Sequence, residues 1–167
     1  MPDTLSKLRE LVRIARNESF PDATVMADAV LKRTLSDPKS SFRDLNGQLL
    51  SAHAVRRTIE FAADLRLITY DDPDDFLPYQ PLTLGRKELE NRIAIEVWAY
   101  FQRNGISRFE LEAAIQNVGI SDVASIWECL GRRKLPLFRF RQCMHLLSQV
   151  SPDLLANRKK TYYVVPR

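Results

Sequence analysis

The side chains in this sequence with the strongest chemistry are two histidines, His53 and His145, two cysteines, Cys129 and Cys143, and a surplus of lysine and arginine over carboxylates. Neither histidine has a carboxylate partner close by in sequence. Cys143 and His145 lie two residues apart, a spacing that turns them to different faces of a helix and rules against a thiol–imidazole couple. There is no Gly-rich phosphate loop and no nucleophile elbow, and no Cys-x-x-Cys pair or His at metal-ligand spacing. Both thiols therefore read as reduced and packed in helices, where free cysteine behaves as a small hydrophobe. No catalytic residue, metal ligand or cofactor is expected. An enzyme ranks third among the readings, because it requires a cleft with convergent polar groups assembled from distant positions.

The cations carry more information. The formal net charge of +4 is spread unevenly: residues 1–103 hold 15 Lys and Arg against 16 Asp and Glu, whereas residues 104–167 hold 10 against 5. A surplus gathered at one end is the electrostatic footprint of a protein that docks on phosphate, the bland alternative being a solvated basic face. Arg132, Arg133, Lys134, Arg139, Arg141, Lys159 and Lys160 make up most of it. Phe138-Arg139-Phe140-Arg141 interleaves aromatics with cations, a pattern suited to base stacking, although the core is the commoner place for both phenylalanines. Asp71, Asp72, Asp74 and Asp75 form the opposite feature, an acidic loop suited to a basic protein partner.

The elements that must position these groups follow from periodicity and punctuation. Prolines at 73, 78, 81 and 136 leave the stretch from Leu82 to Leu135 free for long helix. Leu5, Leu8, Leu11, Val12 and Ala15 mark a first helix, and Ala23, Met26, Ala29, Val30 and Leu31 a second. Ser41-Phe42-Arg43-Asp44 has the shape of a capping box and predicts a short helix stopping at Asn46-Gly47. A further helix opens at Ser51 with Val55, Ile59, Ala62 and Ala63 inside. Leu67–Tyr70 and Leu82–Leu84 read as strands around the acidic turn. Leu89, Ile93, Val97, Trp98 and Phe101 mark a long helix ending near Asn104-Gly105, and Ser107-Arg108-Phe109-Glu110 caps the next. Ser121 is expected to cap a helix through Val123, Ile126, Trp127 and Leu130. Another helix carries Phe140, Cys143, Met144, Leu147 and Val150, with Ser151-Pro152 opening a short one and a strand at Thr161–Val165.

With 45% hydrophobic and 28% charged residues the composition is that of an ordinary globular chain. Charges interrupt every apolar stretch well short of the ~20 residues a membrane helix needs. The N-terminal segment carries Asp3 and Glu10 and lacks the apolar core of a secretory signal. The expected location is the cytoplasm, with no membrane association.

Residues 41–84 run short helix, Gly-containing turn, a second helix with Ala54-Val55-Arg56-Arg57-Thr58-Ile59, then a strand pair closing on Leu82-Thr83-Leu84-Gly85-Arg86. Residues 107–135 repeat the core through Glu110-Leu111, Gly119-Ile120-Ser121, Val123 and Leu130. Both segments resemble winged-helix, helix-turn-helix DNA-binding domains, in tandem with a divergent second unit. That resemblance implies a mainly α fold with small β-hairpins in two winged-helix-like units: residues 1–88 with an acidic wing, and residues 89–167, more basic, sharing the linking helix. It implies base-edge contacts from Ser51, His53, Arg56 and Arg57 in the first unit and from Ser121, Ser125, Arg132 and Arg133 in the second. Lys134, Arg139, Arg141, Lys159 and Lys160 are then suited to phosphate. The four aspartates of the first wing would be repelled by a phosphate backbone. The resulting expectation is a non-catalytic binder of nucleic acid, duplex DNA before RNA, acting as a transcriptional regulator or as the DNA-binding subunit of a larger complex such as a defence or recombination system. The rival is a protein–protein scaffold subunit that docks a partner through the Asp71–Asp75 loop and touches no DNA.

Overall fold

The computed structural model describes residues 4–18, 20–68, 86–118, 121–131, 135–151, 155–158 and 161–164. They divide into two compact units, residues 1–84 and 85–167.

In the first unit, α1 (Thr4–Asn17), α2 (Ala23–Leu35) and α3 (Ala52–Asp64) surround one core. Leu5, Leu8, Leu11, Val12 and Ile14 recur at helical spacing on α1 and are buried, as are Met26, Ala27 and Val30 on α2 and Val55, Ile59, Phe61 and Ala62 on α3. Helix α3 packs against both of the others. Asp22 caps α2 by accepting from the Val25 N–H at 2.9 Å, and Ser51 caps α3 by accepting from the Ala54 N–H at 3.1 Å.

The segment between α2 and α3 departs from expectation. Residues 41–46 form no helix; Arg43 and Leu49 pair across an isolated antiparallel bridge, and wholly buried Phe42 anchors the loop. The reason lies in α1. The Glu10 carboxylate accepts from Ser40 Oγ and from the Ser41 N–H, each at 2.8 Å, so Ser41 meets a distant carboxylate instead of opening a helix. Arg43 then ties the loop together, donating through Nε to the Asp37 carbonyl at 3.1 Å, through Nη1 to the Gly47 carbonyl at 2.8 Å and through Nη2 to the Thr34 carbonyl. Asp44 Oδ1 takes the N–H groups of Asn46 and Gln48, which closes a turn on the residues expected to be helical.

At its other end α3 stops in a two-bond cap. The Arg66 N–H donates to the Ala63 carbonyl and the Leu67 N–H to the Ala62 carbonyl, both at 2.9 Å, with Arg66 in the left-handed region at φ 55°. Leu67 and Ile68 are thereby buried as part of the helix stop and do not begin a strand. Thr69, Tyr70, the Asp71–Asp75 loop and Leu82–Leu84 lie outside the described residues.

The second unit contains α4 (Arg86–Arg103), α5 (Arg108–Val118), β1 (Ser121–Asp122), α6 (Val123–Cys129), α7 (Leu137–Val150), β2 (Leu155–Arg158) and β3 (Thr161–Val164). Helix α4 lies wholly within it. Asn104-Gly105-Ile106 ends α4 as the sequence predicts: Gly105 takes φ 80°, its N–H donates to the Gln102 carbonyl, and the Ile106 N–H donates to the Phe101 carbonyl. Leu89, Ile93, Val97 and Phe101 of α4 are buried with Leu111 and Ile115 of α5, Ile126 of α6, and Phe140, Cys143, Met144, Leu146 and Leu147 of α7. Phe101 and Phe140 meet with ring centroids 5.7 Å apart at 58°, a tilted geometry that favours aromatic pairs. Cys129 is exposed.

These observations correct the expected fold class of small β-hairpins in two winged-helix-like units. Seven helices carry the described fold. The first unit shows no strand among its described residues, and α3 ends in a capped turn where its wing was to begin. In the second unit the strands amount to ten residues, joined in one antiparallel sheet of order β1-β3-β2 with Ser121 opposite Tyr162 and Leu155 opposite Val164. Residues 155–158, expected to follow Ser151-Pro152 as short helix, are strand.

Candidate nucleic-acid interface

Helix α7, packed against α4 and α6, keeps one polar face. Its buried side chains Phe140, Cys143, Met144 and Leu147 fall on one side of a 100°-per-residue wheel, with buried Leu146 on the flank next to Gln142. Phe138, Arg141, Gln142, His145 and Gln149 fall on the opposite side, Phe138 and Arg141 exposed and the other three partly so. Fourteen residues make α7 about 21 Å long at 1.5 Å per residue, long enough to lie along a DNA groove. Helix α6, expected to be the groove-reading helix of this unit, has seven residues.

The start of α7 is fixed by packing. Pro136 precedes it with extended backbone and provides no side-chain cap. Trp127 Nε1 of α6 donates to the Leu135 carbonyl at 3.0 Å, which pins the chain one residue before Pro136. Over the first turn, the Arg139 guanidinium lies 5.5 Å from the centroid of the Phe138 ring, and its Nη1 donates to Gln142 Oε1 at 3.2 Å. The pair Phe138 and Phe140 therefore splits: Phe140 is wholly buried, while Phe138 is 44% exposed.

Asp122 stands at the start of α6. It is the residue that caps this helix, accepting from the Ser125 N–H at 2.8 Å, and Ser121 stands one residue before it, opposite Tyr162. That backbone hydrogen bond holds the Asp122 carboxyl below its ordinary range, helped by the Ser125 hydroxyl, by the Ala124 N–H and least by the positive charge of Arg141.

The remaining candidates are distributed as follows. Ser51 is occupied in capping α3, with His53, Arg56 and Arg57 exposed on its first two turns. Arg56 Nε lies 3.2 Å from Glu60 Oε1, a local ion pair. Ser125 is partly buried with its N–H committed to Asp122. Arg132, Arg133, Lys134, Lys159 and Lys160 lie outside the described residues, as do the four aspartates of the acidic loop. Gln142, His145 and Gln149 were not named as interface residues from sequence; the complement of the Phe140/Cys143/Met144/Leu147 stripe is the signal that marks them.

Ion pairs on the other helices of this unit are local. Arg86 pairs with Glu90, Arg92 with buried Glu96, and Arg108 with Glu112, all four residues apart. Arg108 also covers the Trp98 ring at 5.0 Å. Among the described residues no group of three or more His, Cys, Asp or Glu is placed to hold a metal ion, and no helix is long and apolar enough to cross a membrane.

The chain matches no family model, no curated protein sequence and no solved structure.

Proposed function

We propose that this chain is a non-catalytic nucleic-acid-binding protein that takes duplex DNA as its preferred ligand, through α7 and the cationic segments beside it in the sequence. The observation that carries this reading is the polar stripe of α7, set in a unit whose 83 residues hold 14 Lys and Arg against 8 Asp and Glu. A helix of this length fits the major groove, where Arg and Gln side chains can pair with base edges. Cations at 132–134, 139, 141, 159 and 160 supply contacts to phosphate, which position the protein without reading sequence. Such a protein serves as a transcriptional regulator or as the DNA-contacting subunit of a larger assembly.

The test is electrostatic. With about five phosphates engaged, log affinity falls with log salt at a slope near −4.5, or roughly 500-fold between 50 and 200 mM salt. Binding of random duplex DNA, single-stranded DNA and structured RNA is measured across that range for the wild type and for a triple Ala variant of Arg132, Arg133 and Lys134. The variant is expected to show a shallower slope, and duplex DNA to bind tightest. Affinity indifferent to salt, or no binding of any nucleic acid, refutes the proposal.

A second reading, a protein–protein scaffold subunit, is favoured by large apolar side chains left in solvent on the first unit, Leu35 at 67% and Leu45 at 76% exposure. Absence of nucleic-acid binding would leave this reading in possession.

A further inference from the structure

Phe138 is an apolar ring in an otherwise polar stripe. It occupies the second position of α7, and groove-bound helices touch base edges with their N-terminal residues. One side of the ring is backed by the Arg139 guanidinium, which is itself held by Gln142, and 44% of the residue remains open to solvent. The base edges of the major groove offer hydrogen-bond donors and acceptors at every pair but a single kind of apolar group, the C5-methyl of thymine. A ring aimed outward between Arg141 and Gln142 has that one apolar match on duplex DNA, and the positive charge around it selects a polyanion over an apolar protein surface.

We propose that Phe138 reads thymine, packing its ring on the C5-methyl group when α7 lies in the major groove. The inference rests on the duplex-DNA reading above and assigns a base preference to the same surface. Removing one methyl group from water corresponds to about fourfold in affinity.

The experiment compares an alternating dA·dT duplex, which offers a thymine methyl in every docking register, with the same duplex carrying deoxyuridine in place of thymidine. Both are titrated at fixed ionic strength with wild type and with Phe138→Ala. The wild type is expected to bind the deoxyuridine duplex about fourfold more weakly. Phe138→Ala is expected to bind the two duplexes alike, at the level of wild type on deoxyuridine. Salt-dependent binding in which the wild type ignores the methyl group overturns this inference and leaves duplex binding standing, and so does a methyl preference that survives in Phe138→Ala. Failure of the wild type to bind either duplex overturns both. The comparison of the two duplexes with wild type needs no variant, so a folding defect in Phe138→Ala would not shield the proposal.

Discussion

Replacing Arg66 by glycine should stabilise the first unit. Arg66 sits at φ 55°, where a side chain meets the following carbonyl oxygen, and this conformation costs a non-glycine residue roughly 1–2 kcal/mol. Its backbone is held there by the Arg66 and Leu67 N–H bonds to Ala63 and Ala62 and by burial of Leu67, while the Arg66 side chain is exposed. Glycine removes the steric cost and adds about 0.5–1 kcal/mol of conformational entropy to the unfolded chain. The net gain is about 0.5–1 kcal/mol. For a unit of 84 residues, at roughly 4–8 °C per kcal/mol, the melting temperature should rise by about 2–8 °C. Thermal and urea unfolding followed by helical circular dichroism gives the readout, with Arg66→Ala as the control. Alanine keeps the left-handed penalty and should stay within about 0.5 kcal/mol of wild type. A glycine variant no more stable than the alanine variant refutes the argument that the cap is strained at this residue.

Two further perturbations probe the scaffold. Glu10→Gln weakens the bonds that Ser40 and Ser41 make to the carboxylate, and at about 1.5–3 kcal/mol for a hydrogen bond to a charged group it should destabilise the first unit by an amount of that order; faster hydrogen exchange at the Ser41 amide would show that the loop is what loosens. Asp122→Ala should lower the stability of the second unit at neutral pH, because the depressed carboxyl pKa means that the folded state holds this group ionised more readily than the unfolded chain does. The contribution is present above the unfolded carboxylate range, about 3.9, and is lost as pH falls through the lower folded value. Stability curves of wild type and variant should therefore converge in acid; a constant gap at all pH values would contradict the assignment.

What the sequence revealed was what local chemistry decides. The end of α4 at Asn104-Gly105 and the start of α5 at the Ser107–Glu110 box are set by residues within a few positions of each other, and Ser107 Oγ does accept the Glu110 N–H at 3.1 Å. The apolar stripes of α1, α3 and α7 are likewise read from spacing alone. Residues 41–46 carry an equally good local signal, yet a carboxylate about thirty residues upstream claims Ser40 and Ser41 and the signal is overridden. At α6 two adjacent residues, Ser121 and Asp122, both suit a cap; both pair with β3, and the role falls to Asp122, which directly precedes the helix. The strand expected to open at Leu67-Ile68 does not start there for a related reason, since these β-favouring residues are also what a helix stop needs to bury. For the interface, cations were legible as a charge surplus, whereas the seven-residue length of α6 is set by its stop, where the Leu130 N–H donates to the Ile126 carbonyl and the Gly131 N–H to the Glu128 carbonyl with Gly131 at φ 75°.

The two thiols give the second unit a built-in gauge. Cys129 stands in solvent, whereas Cys143 is sealed on the inner side of α7 against the rest of the core. An alkylating reagent meets the first at once and the second only when α7 lifts away, so the ratio of the two labelling rates reports how often this helix detaches. The unmodified chain therefore carries its own internal clock for the motion of α7, with a reference channel eight residues before that helix begins at Leu137.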